Sequence, residues 1–280
     1  MEDYLITEDR LAIFAAHLRA EERRPSTVEK YARDVRALAR WLAGRAVTKA
    51  QLAEWKQQLV ARGYAATTVN GMLAAVHAFF SCMGWMGLSL RYLRVQRRAF
   101  RENSRALSRA DYAALLAAAK ARSVRLALVM ETICATGIRV SELPYMTVEA
   151  ARAGRADISL KGKIRTILIP AKLCKKLRAY AKHKKITSGE IFLTRGGHSL
   201  SRKQIWAEMK RLCASAGVDP RKVFPHNLRH LFAVTYYKVT RDMAQLADLL
   251  GHSSIETTRL YLLAPASEQR QCLDRLRLVL

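Results

Sequence analysis

The sequence predicts a mainly α-helical protein of two domains, the second of which also holds a small antiparallel β-sheet. Three observations lead to this fold class. Apolar residues recur at helical spacing along most of the 280 residues. A polar, basic segment over residues 95–106 interrupts that spacing, and two short β-like runs beyond it flank a Lys-Gly-Lys turn. We therefore expect a four-helix N-terminal domain at 1–94, a linker at 95–106 and a mixed α/β domain at 107–280.

Four helix starts are visible in the first domain. Each is a hydroxyl residue followed by apolar residues at helical spacing. In the second of them, Ser26 and Glu29 form a capping-box pattern behind Pro25. The expected caps are Thr7, Ser26, Thr48, and either Thr67 or Thr68.

Residues 63–90 carry no Lys, Arg, Asp or Glu, and this stretch is long enough to cross a bilayer. Four glycines and several polar residues interrupt it, so we expect a buried helix that ends near Gly84 and no membrane span. The chain opens on acidic residues and lacks an apolar signal core. Its five cysteines are widely spaced without a CxxC pair, which indicates reduced thiols and neither a disulfide framework nor a zinc site. These features predict a cytoplasmic protein.

In the second domain, Ser108 is the expected cap of a helix that runs to Ala119. A second helix is expected over Val124–Ala135, with Gly137 as its stop. The β-like runs are Ala156–Leu160, Arg165–Ile169 and, as a candidate third strand, Ile191–Thr194. Further helices are expected over Ser201–Ser215, Asn227–Val239, Met243–Leu250 and Ile255–Leu262, with a last one from Ser267.

The net charge indicates a polyanionic partner. The chain has 49 Lys and Arg against 23 Asp and Glu, a formal net charge of +26 and a pI near 10.5. Half of its residues are hydrophobic, which excludes a disordered basic tail. Residues 1–105 carry 18 basic and 10 acidic side chains, and residues 106–280 carry 31 and 13, so both parts are basic. Nucleic acid is the leading candidate, and an anionic membrane surface is the alternative that the interrupted apolar stretch does not support.

No phosphate-binding glycine loop, HExxH motif, carboxylate pair or nucleophile elbow occurs in the sequence. The second domain instead holds cations, imidazoles and a tyrosine in ordered contexts. Considered singly, each has an ordinary structural explanation, such as a solvated face, a helix cap or a place in the core. The residues are Arg139, behind the expected helix stop; His226 and Arg229, three apart on one helix face; His252, behind Gly251; and Tyr261.

Taken together, the order and spacing of these residues resemble the tyrosine recombinase (phage integrase) family. The family pattern is an Arg in a TGxRxSEL-like segment, a hairpin Lys, H-x-x-R, L-G-H, and a Tyr nine residues beyond that His. The matching residues here are Thr136–Leu143, Lys161, His226–Arg229, Leu250–His252 and Tyr261. The resemblance spans the whole second domain, and the four-helix part looks like the family's core-binding domain.

The resemblance implies a site-specific recombinase that cleaves and rejoins double-stranded DNA through a 3′-phosphotyrosyl bond and a Holliday junction. It implies a homotetramer on specific DNA sites, an accessory DNA-bending or partner protein, and no metal, ATP or other cofactor. The length favours a simple Xer-type recombinase or a small mobile-element integrase. Two alternatives stay open: a type IB topoisomerase and a non-catalytic DNA-binding protein on the same fold.

The resemblance also implies roles for single residues. Negative charge gathers on the phosphate in the transition state, and two guanidiniums supply fixed bidentate donors for it. Arg139 and Arg229 would be these donors, the phosphate clamp. The other implied roles are His252 as a further donor to a phosphate oxygen, His226 as the group that assists proton transfer from Tyr261, Lys161 as the acid that protonates the leaving 5′-oxygen, and Glu142 as the residue that orients the cations.

Some assignments stay open. The hairpin offers Lys161 and Lys163 as the acid, and Lys161 is favoured because the family's lysine stands before the turn glycine. Arg259 is as compatible with a phosphate contact as with a solvated helix face. A C-terminal helix with Leu273, Leu276 and Leu280 on one side would dock on a neighbouring protomer or pack within its own. The predicted DNA contacts outside the site are Arg97, Arg98, Arg101 and Arg105 in the linker and Lys163 and Arg165 in the hairpin.

Overall fold

The computed structural model of the chain describes residues 4–95, 105–160, 163–263 and 266–276. The chain divides into two units, Met1–Arg97 and Arg98–Leu280. The expected domain limits of 1–94, 95–106 and 107–280 stay predictions. The expected fold class is confirmed, because the described elements are mainly helices and include one small antiparallel sheet.

Four helices make up the described part of the first unit. They are α1 (Glu8–Ala20), α2 (Pro25–Leu42), α3 (Lys49–Ala61) and α4 (Ala66–Cys82). Thr7 caps α1 by accepting a hydrogen bond from the Arg10 amide, and Thr48 forms a capping box with Gln51 at α3. The helices pack their apolar faces into one core, which includes Phe14, Leu38, Leu52, Leu73 and Phe79.

Two helix starts differ from the expectation. The helix α2 begins at Pro25, so Ser26 lies inside the first turn, and no side chain caps the helix. Proline is favoured at the first position of a helix because its fixed φ angle is already helical. It also lacks an N–H, and the N–H of the first helical residue has no hydrogen-bond partner within the helix. The helix α4 begins at Ala66, ahead of Thr67 and Thr68, and it too has no side-chain cap. No helix in the described ranges is long and apolar enough to cross a membrane.

The second unit combines ten described helices with two strands. The helices are α5 (Arg109–Arg122), α6 (Val124–Thr136), α7 (Val148–Ala153), α8 (Ala171–His183), α9 (Arg202–Lys210), α10 (Cys213–Ala216), α11 (Pro225–Thr240), α12 (Met243–Leu250), α13 (Ile255–Arg259) and α14 (Ala266–Arg275). Ser108 and Ser201 cap α5 and α9 as expected. The helix expected over Ser201–Ser215 is divided into α9 and α10.

The sheet is a hairpin of β1 (Arg155–Leu160) and β2 (Lys163–Leu168), which run antiparallel with Ile158 opposite Arg165. The prediction of a third strand at 191–194 was wrong. In that region the structure has isolated bridges only, from Leu193 to Ser199 and from Glu190 to Thr147. The residues at 191 and 192 are apolar because they are buried in the core of the second unit, not because they belong to the sheet.

The helix α6 occupies the centre of the second unit, where it packs against α5, α8, α9 and α11. Its last residue is followed by Gly137 in the left-handed conformation, at a φ of 67°. A Cβ at Gly137 would lie 2.4 Å from Cδ1 of Phe232 on α11. Only glycine can adopt this left-handed φ and also leave room for the Phe232 ring. Because Phe232 lies so close to Gly137, the chain that follows α6 runs next to α11. This contact places Arg139, just beyond Gly137, near His226 and Arg229 on α11.

Candidate active site

Arg139 lies just beyond Gly137, at the start of a short 3₁₀ segment, Val140–Tyr145. Its Nη1 donates to Oε1 of Glu142 over 3.0 Å, and its Nη2 donates to the carbonyl of Gly251 over 3.2 Å. Its backbone amide donates to the other oxygen of Glu142 over 2.7 Å. The side chain is nevertheless 42% exposed, so a ligand can reach the guanidinium.

Arg229 lies on α11 and is buried. Its Nη1 donates to the carbonyl of Gly137 over 2.6 Å, and its Nη2 donates to the carbonyl of Leu250 over 2.7 Å. Burial, and next the charge of Arg139, lower the pKa of the Arg229 guanidinium to about 10, against the opposing effect of Tyr261. The group therefore carries its charge at neutral pH, held by backbone carbonyls from the ends of α6 and α12.

His252 follows Gly251, which ends α12 in the left-handed conformation as the sequence predicts. Its Nε2 lies 3.0 Å from Nη2 of Arg229, and its Nδ1 lies 2.8 Å from Oγ1 of Thr258. A guanidinium only donates, so Nε2 accepts, and Nδ1 carries the hydrogen that Thr258 receives. Burial first, and then the charges of Arg229 and Arg139, lower the pKa of His252 to about 4, so the ring is neutral.

Tyr261 lies just beyond α13, and three imidazoles surround its buried ring. The ring centroids of His226 and His252 are each 5.3 Å from that of Tyr261. The ring of His230 stacks on it at 5.6 Å, with an interplanar angle of 13°. The sequence analysis did not select His230. The sequence feature that could have identified His230 is its position four residues after His226, because this spacing places both histidines on one face of α11.

Glu142 and Arg165 form the support of this cluster. The Glu142 carboxylate is 2% exposed and forms ion pairs with Arg139 and with Arg165. The Nη1 of Arg165 donates to the carbonyl of Leu249 over 2.8 Å. Both terminal nitrogens of this guanidinium thus have protein acceptors, and the grouping of Arg165 with the DNA contacts stays a prediction. Desolvation by burial lowers the pKa of Arg165, while the charge of Glu142 opposes that change.

The remaining selected residues have varied positions. Lys161, Arg97, Arg98 and Arg101 lie outside the described residues, and of Lys163 only the backbone is described, at the start of β2. The choice of Lys161 over Lys163 therefore stays a prediction. Arg105 is exposed, and its carbonyl accepts a hydrogen bond of 2.6 Å from Nδ2 of Asn227. Arg259 pairs with Glu256 over 2.9 Å, in keeping with the helix-face alternative.

A cavity of about 690 Å³ lies beside the cluster. Arg139, His226 and Arg229 line one part of it, and α9 supplies further lining residues. The sequence analysis missed the residues on α9, since nothing in the local pattern distinguished them from other surface residues; they are Arg202, Lys203 and the half-exposed Trp206. Among the described residues, no group of three His, Cys, Asp or Glu side chains is placed to hold a metal ion.

Both the sequence and the fold match those of known proteins. The profile of the phage integrase family matches residues 105–267, and that of the phage integrase N-terminal SAM-like domain matches residues 11–87. Tyrosine recombinase XerA of Pyrococcus furiosus is 26% identical over 288 residues, which cover 100% of this chain and 98% of that protein. Tyrosine recombinase XerD of Xanthomonas campestris pv. campestris is 31% identical over 263 residues, with 85% and 81% covered.

Solved structures share the fold. A lambda integrase tetramer bound to a Holliday junction matches with a TM-score of 0.71 and 21% identity, over 93% of this chain and 78% of that one. XerH recombinase in a pre-cleavage complex with its difH substrate matches with a TM-score of 0.69 and 17% identity, over 97% and 90%. The integrase profile covers more than half of the chain and includes every residue of the cluster around Tyr261. The chain belongs to the phage integrase family.

Proposed function

We propose that the protein is a site-specific DNA recombinase in which Tyr261 is the nucleophile. The observation that carries this proposal is the convergence of Arg139, Arg229 and His252 beside a buried phenol. Two guanidiniums match the planar, bidentate acceptor geometry of a phosphodiester. Their positive charges suit an anionic transition state.

In the proposed reaction, the phenol oxygen of Tyr261 attacks the scissile phosphorus and forms a new P–O bond. The bond from phosphorus to the 5′-oxygen breaks, and the phosphate stays on the enzyme as a 3′-phosphotyrosine. The phenol proton passes toward His226, 5.3 Å away between ring centroids, and the leaving oxygen takes a proton from Lys161. Attack by another 5′-hydroxyl reverses these steps, so the backbone is resealed without ATP.

The phosphate clamp, Arg139 and Arg229, stabilises the charge that develops on the non-bridging oxygens. Arg139 is accessible to the phosphate, whereas Arg229 is buried and held by two carbonyls. A donor that is fixed before the reaction needs no reorganisation in the transition state, which is the basis of electrostatic catalysis. Glu142 orients Arg139 by accepting from both its guanidinium and its backbone amide.

The DNA duplex is the proposed ligand of both units, since each is basic in sequence. In the second unit, Arg202, Lys203 and Trp206 line the same cavity as the phosphate clamp. We assign these side chains to the DNA next to the scissile phosphate, together with Arg105 and the linker arginines. The cytoplasm is then the place of action, with a chromosome or mobile element as the substrate.

We extend the proposal to a homotetramer that exchanges strands through a Holliday junction, with an accessory protein where the DNA must bend. Lambda integrase, which shares this fold, forms a tetramer bound to a Holliday junction in its crystal structure. The C-terminal helix α14 supports an assembly, because Leu273 on it and Leu276 just beyond its end are 65% and 58% exposed. Two leucines three residues apart form an apolar stripe, which a neighbouring protomer would cover.

The experiment is the recovery of covalent protein–DNA complexes from cells that express the wild type, Tyr261→Phe, or the control Tyr237→Phe. We expect an adduct in the wild type and the control and none in Tyr261→Phe, with non-covalent DNA binding retained in all three. Sequencing of the trapped DNA should find one recurring site. An adduct that survives in Tyr261→Phe refutes the nucleophile. Adducts spread over all DNA, with relaxation of a plasmid that lacks the site, indicate a topoisomerase instead.

A further inference from the structure

Residues 105–111, the entry segment, are attached to the rest of the second unit at three points. The carbonyl of Arg105 accepts a hydrogen bond of 2.6 Å from Nδ2 of Asn227 on α11. Leu107 is buried in the core of the unit. Asp111 forms an ion pair of 3.4 Å with a lysine that precedes α11. The backbone of Arg105 is therefore held by the fold of the second unit.

Asn227 makes the attachment that lies nearest to the candidate active site. The residue is 2% exposed, and its Nδ2 donates to the carbonyls of Arg105 and Lys222, each over 2.6 Å. A side-chain amide has two N–H donors, so these two bonds use both of them. The side chain of Asn227 thus joins the entry segment to the chain that leads into α11.

The attachment brings Arg105 close to the residues that are proposed to react. Asn227 follows His226, whose ring centroid lies 5.3 Å from that of Tyr261. Consecutive Cα atoms are about 3.8 Å apart, so the Arg105 carbonyl is bound to the part of α11 that borders the cluster around Tyr261. The Arg105 side chain is itself exposed. A cation that a ligand can reach is therefore held beside the candidate active site.

We propose that Asn227 is a positioning residue, which holds Arg105 where its guanidinium binds a phosphate next to the scissile one on the cleaved strand. The inference rests on the proposed function, because it takes the scissile phosphate to lie at the phosphate clamp. Along one strand of a duplex, a phosphate occurs about every 3.4 Å of helix axis, so a neighbour of the scissile phosphate lies close to the cluster. A guanidinium matches its charge and geometry. Because the backbone of Arg105 is already fixed, less conformational freedom is lost on binding.

The test measures non-covalent binding of a duplex that carries the DNA site recovered with the covalent complex. Phosphates around the scissile one are replaced singly by neutral methylphosphonates, and every protein carries Tyr261→Phe, so that binding is measured without cleavage. Neutralisation of the contacted phosphate should weaken binding of this parent protein by about 10-fold, the effect of one charge-assisted hydrogen bond. Arg105→Ala should bind the natural DNA about 10-fold more weakly and show no further loss on that methylphosphonate.

Variants of Asn227 separate positioning from binding. Asn227→Asp keeps the size of the side chain but turns acceptors toward the two carbonyls, so it should lose most of the response to that phosphate. Asn227→Gln keeps both donors and should retain part of the response. Addition of Arg105→Ala to Asn227→Asp should cause no further loss, because both changes remove the same contact. The matched control is Arg122→Ala, an exposed arginine about 20 Å along α5 from the entry segment, which should keep the full response.

The response is the ratio of two affinities measured on one protein, so a fraction that fails to fold cancels, and melting curves report that fraction. If Arg105→Ala stays as sensitive as the parent to every phosphate, or if the response lies far from the scissile phosphate, the contact is refuted. If the losses from Asn227→Asp and Arg105→Ala add, the positioning role is refuted, since a general structural defect is independent of the contact. In each case, an adduct on Tyr261 in the wild type leaves the proposed function standing. Absence of that adduct refutes the proposed function itself.

Discussion

Replacement of Glu142 by glutamine tests the electrostatics of the whole site. The Glu142 carboxylate is 2% exposed, and it receives the backbone amide of Arg139 at 2.7 Å and the Arg139 guanidinium at 3.0 Å. The guanidinium of Arg165 is its third donor. Glutamine has the same size and keeps one carbonyl oxygen as an acceptor. Its amide nitrogen, however, is a hydrogen-bond donor that would face the donors of Arg139 and Arg165. The substitution therefore removes the counter-charge and leaves the packing nearly unchanged.

The expected cost follows from the exposure of the two arginines. Removal of one partner from a buried ion pair costs about 3–5 kcal/mol, because the other charge stays buried. The Arg139 side chain is 42% exposed and can be hydrated once its counter-charge is removed, so it contributes little to the destabilisation. The Arg165 side chain is only 16% exposed and contributes most of it. We expect a loss of about 3 kcal/mol in the free energy of unfolding, at the lower end of that range. For a domain of this size, the melting temperature should fall by about 6–12 °C.

The assay is thermal unfolding of the DNA-free protein, and the chain offers a matched control. Glu256 and Arg259 form an ion pair with the same three-residue spacing as Arg139 and Glu142, at 2.9 Å, but on the surface. Glu256→Gln should cost less than about 1 kcal/mol, as exposed pairs do. Equal shifts in the two variants would refute the reasoning, because burial of the carboxylate would then make no difference.

Three further predictions concern pH, packing and salt. The pKa of His252 is lowered from 6.5 to about 4, so between these pH values the unfolded chain binds more protons than the folded one. The wild type should therefore lose stability as the pH falls from 6.5 toward 4. Melting curves should show that His252→Gln loses less stability over the same pH range. His230→Ala should slow adduct formation by roughly 10-fold and His230→Phe by less, because a ring that stacks on Tyr261 limits its misplacement; equal rates would contradict this role. If about 6–10 phosphates are neutralised, fluorescence anisotropy should show DNA affinity falling by about 10³–10⁵-fold from about 50 to 200 mM salt, and a flat response would exclude the extended basic contact.

The parts of the fold that were predictable depend on local interactions. Thr7, Thr48, Ser108 and Ser201 cap the helices where the sequence places them, because a cap is decided within a few residues. The third strand at 191–194 was wrong, because a short apolar run looks the same in a strand and in a buried loop. Only long-range packing, which the local pattern does not contain, distinguishes the two.

The candidate site divides in the same way. The clamp and Tyr261 were selected because family motifs mark them in sequence. The contacts of Arg165 with Glu142 and Leu249 were not predicted, since the Leu249 carbonyl is 84 residues away along the chain. His230 was missed although it adjoins Arg229, because a histidine on a helix has an ordinary structural explanation until the ring that it faces is known. Sequence motifs select the groups that are proposed to react, and only three-dimensional contacts show what holds them.

The hydrogen bonds of His252 bear on the role that this residue has in the proposed reaction. In the DNA-free protein, its Nε2 accepts from Arg229, so the ring has no donor there for a phosphate oxygen. Burial and the arginine charges lower its pKa to about 4, and a bound phosphodiester brings a negative charge that opposes those charges. The phosphate also competes for the Arg229 donor that now occupies Nε2. Both effects favour a proton on Nε2, so we expect binding of DNA to convert His252 from an acceptor into the phosphate donor that the proposed reaction requires.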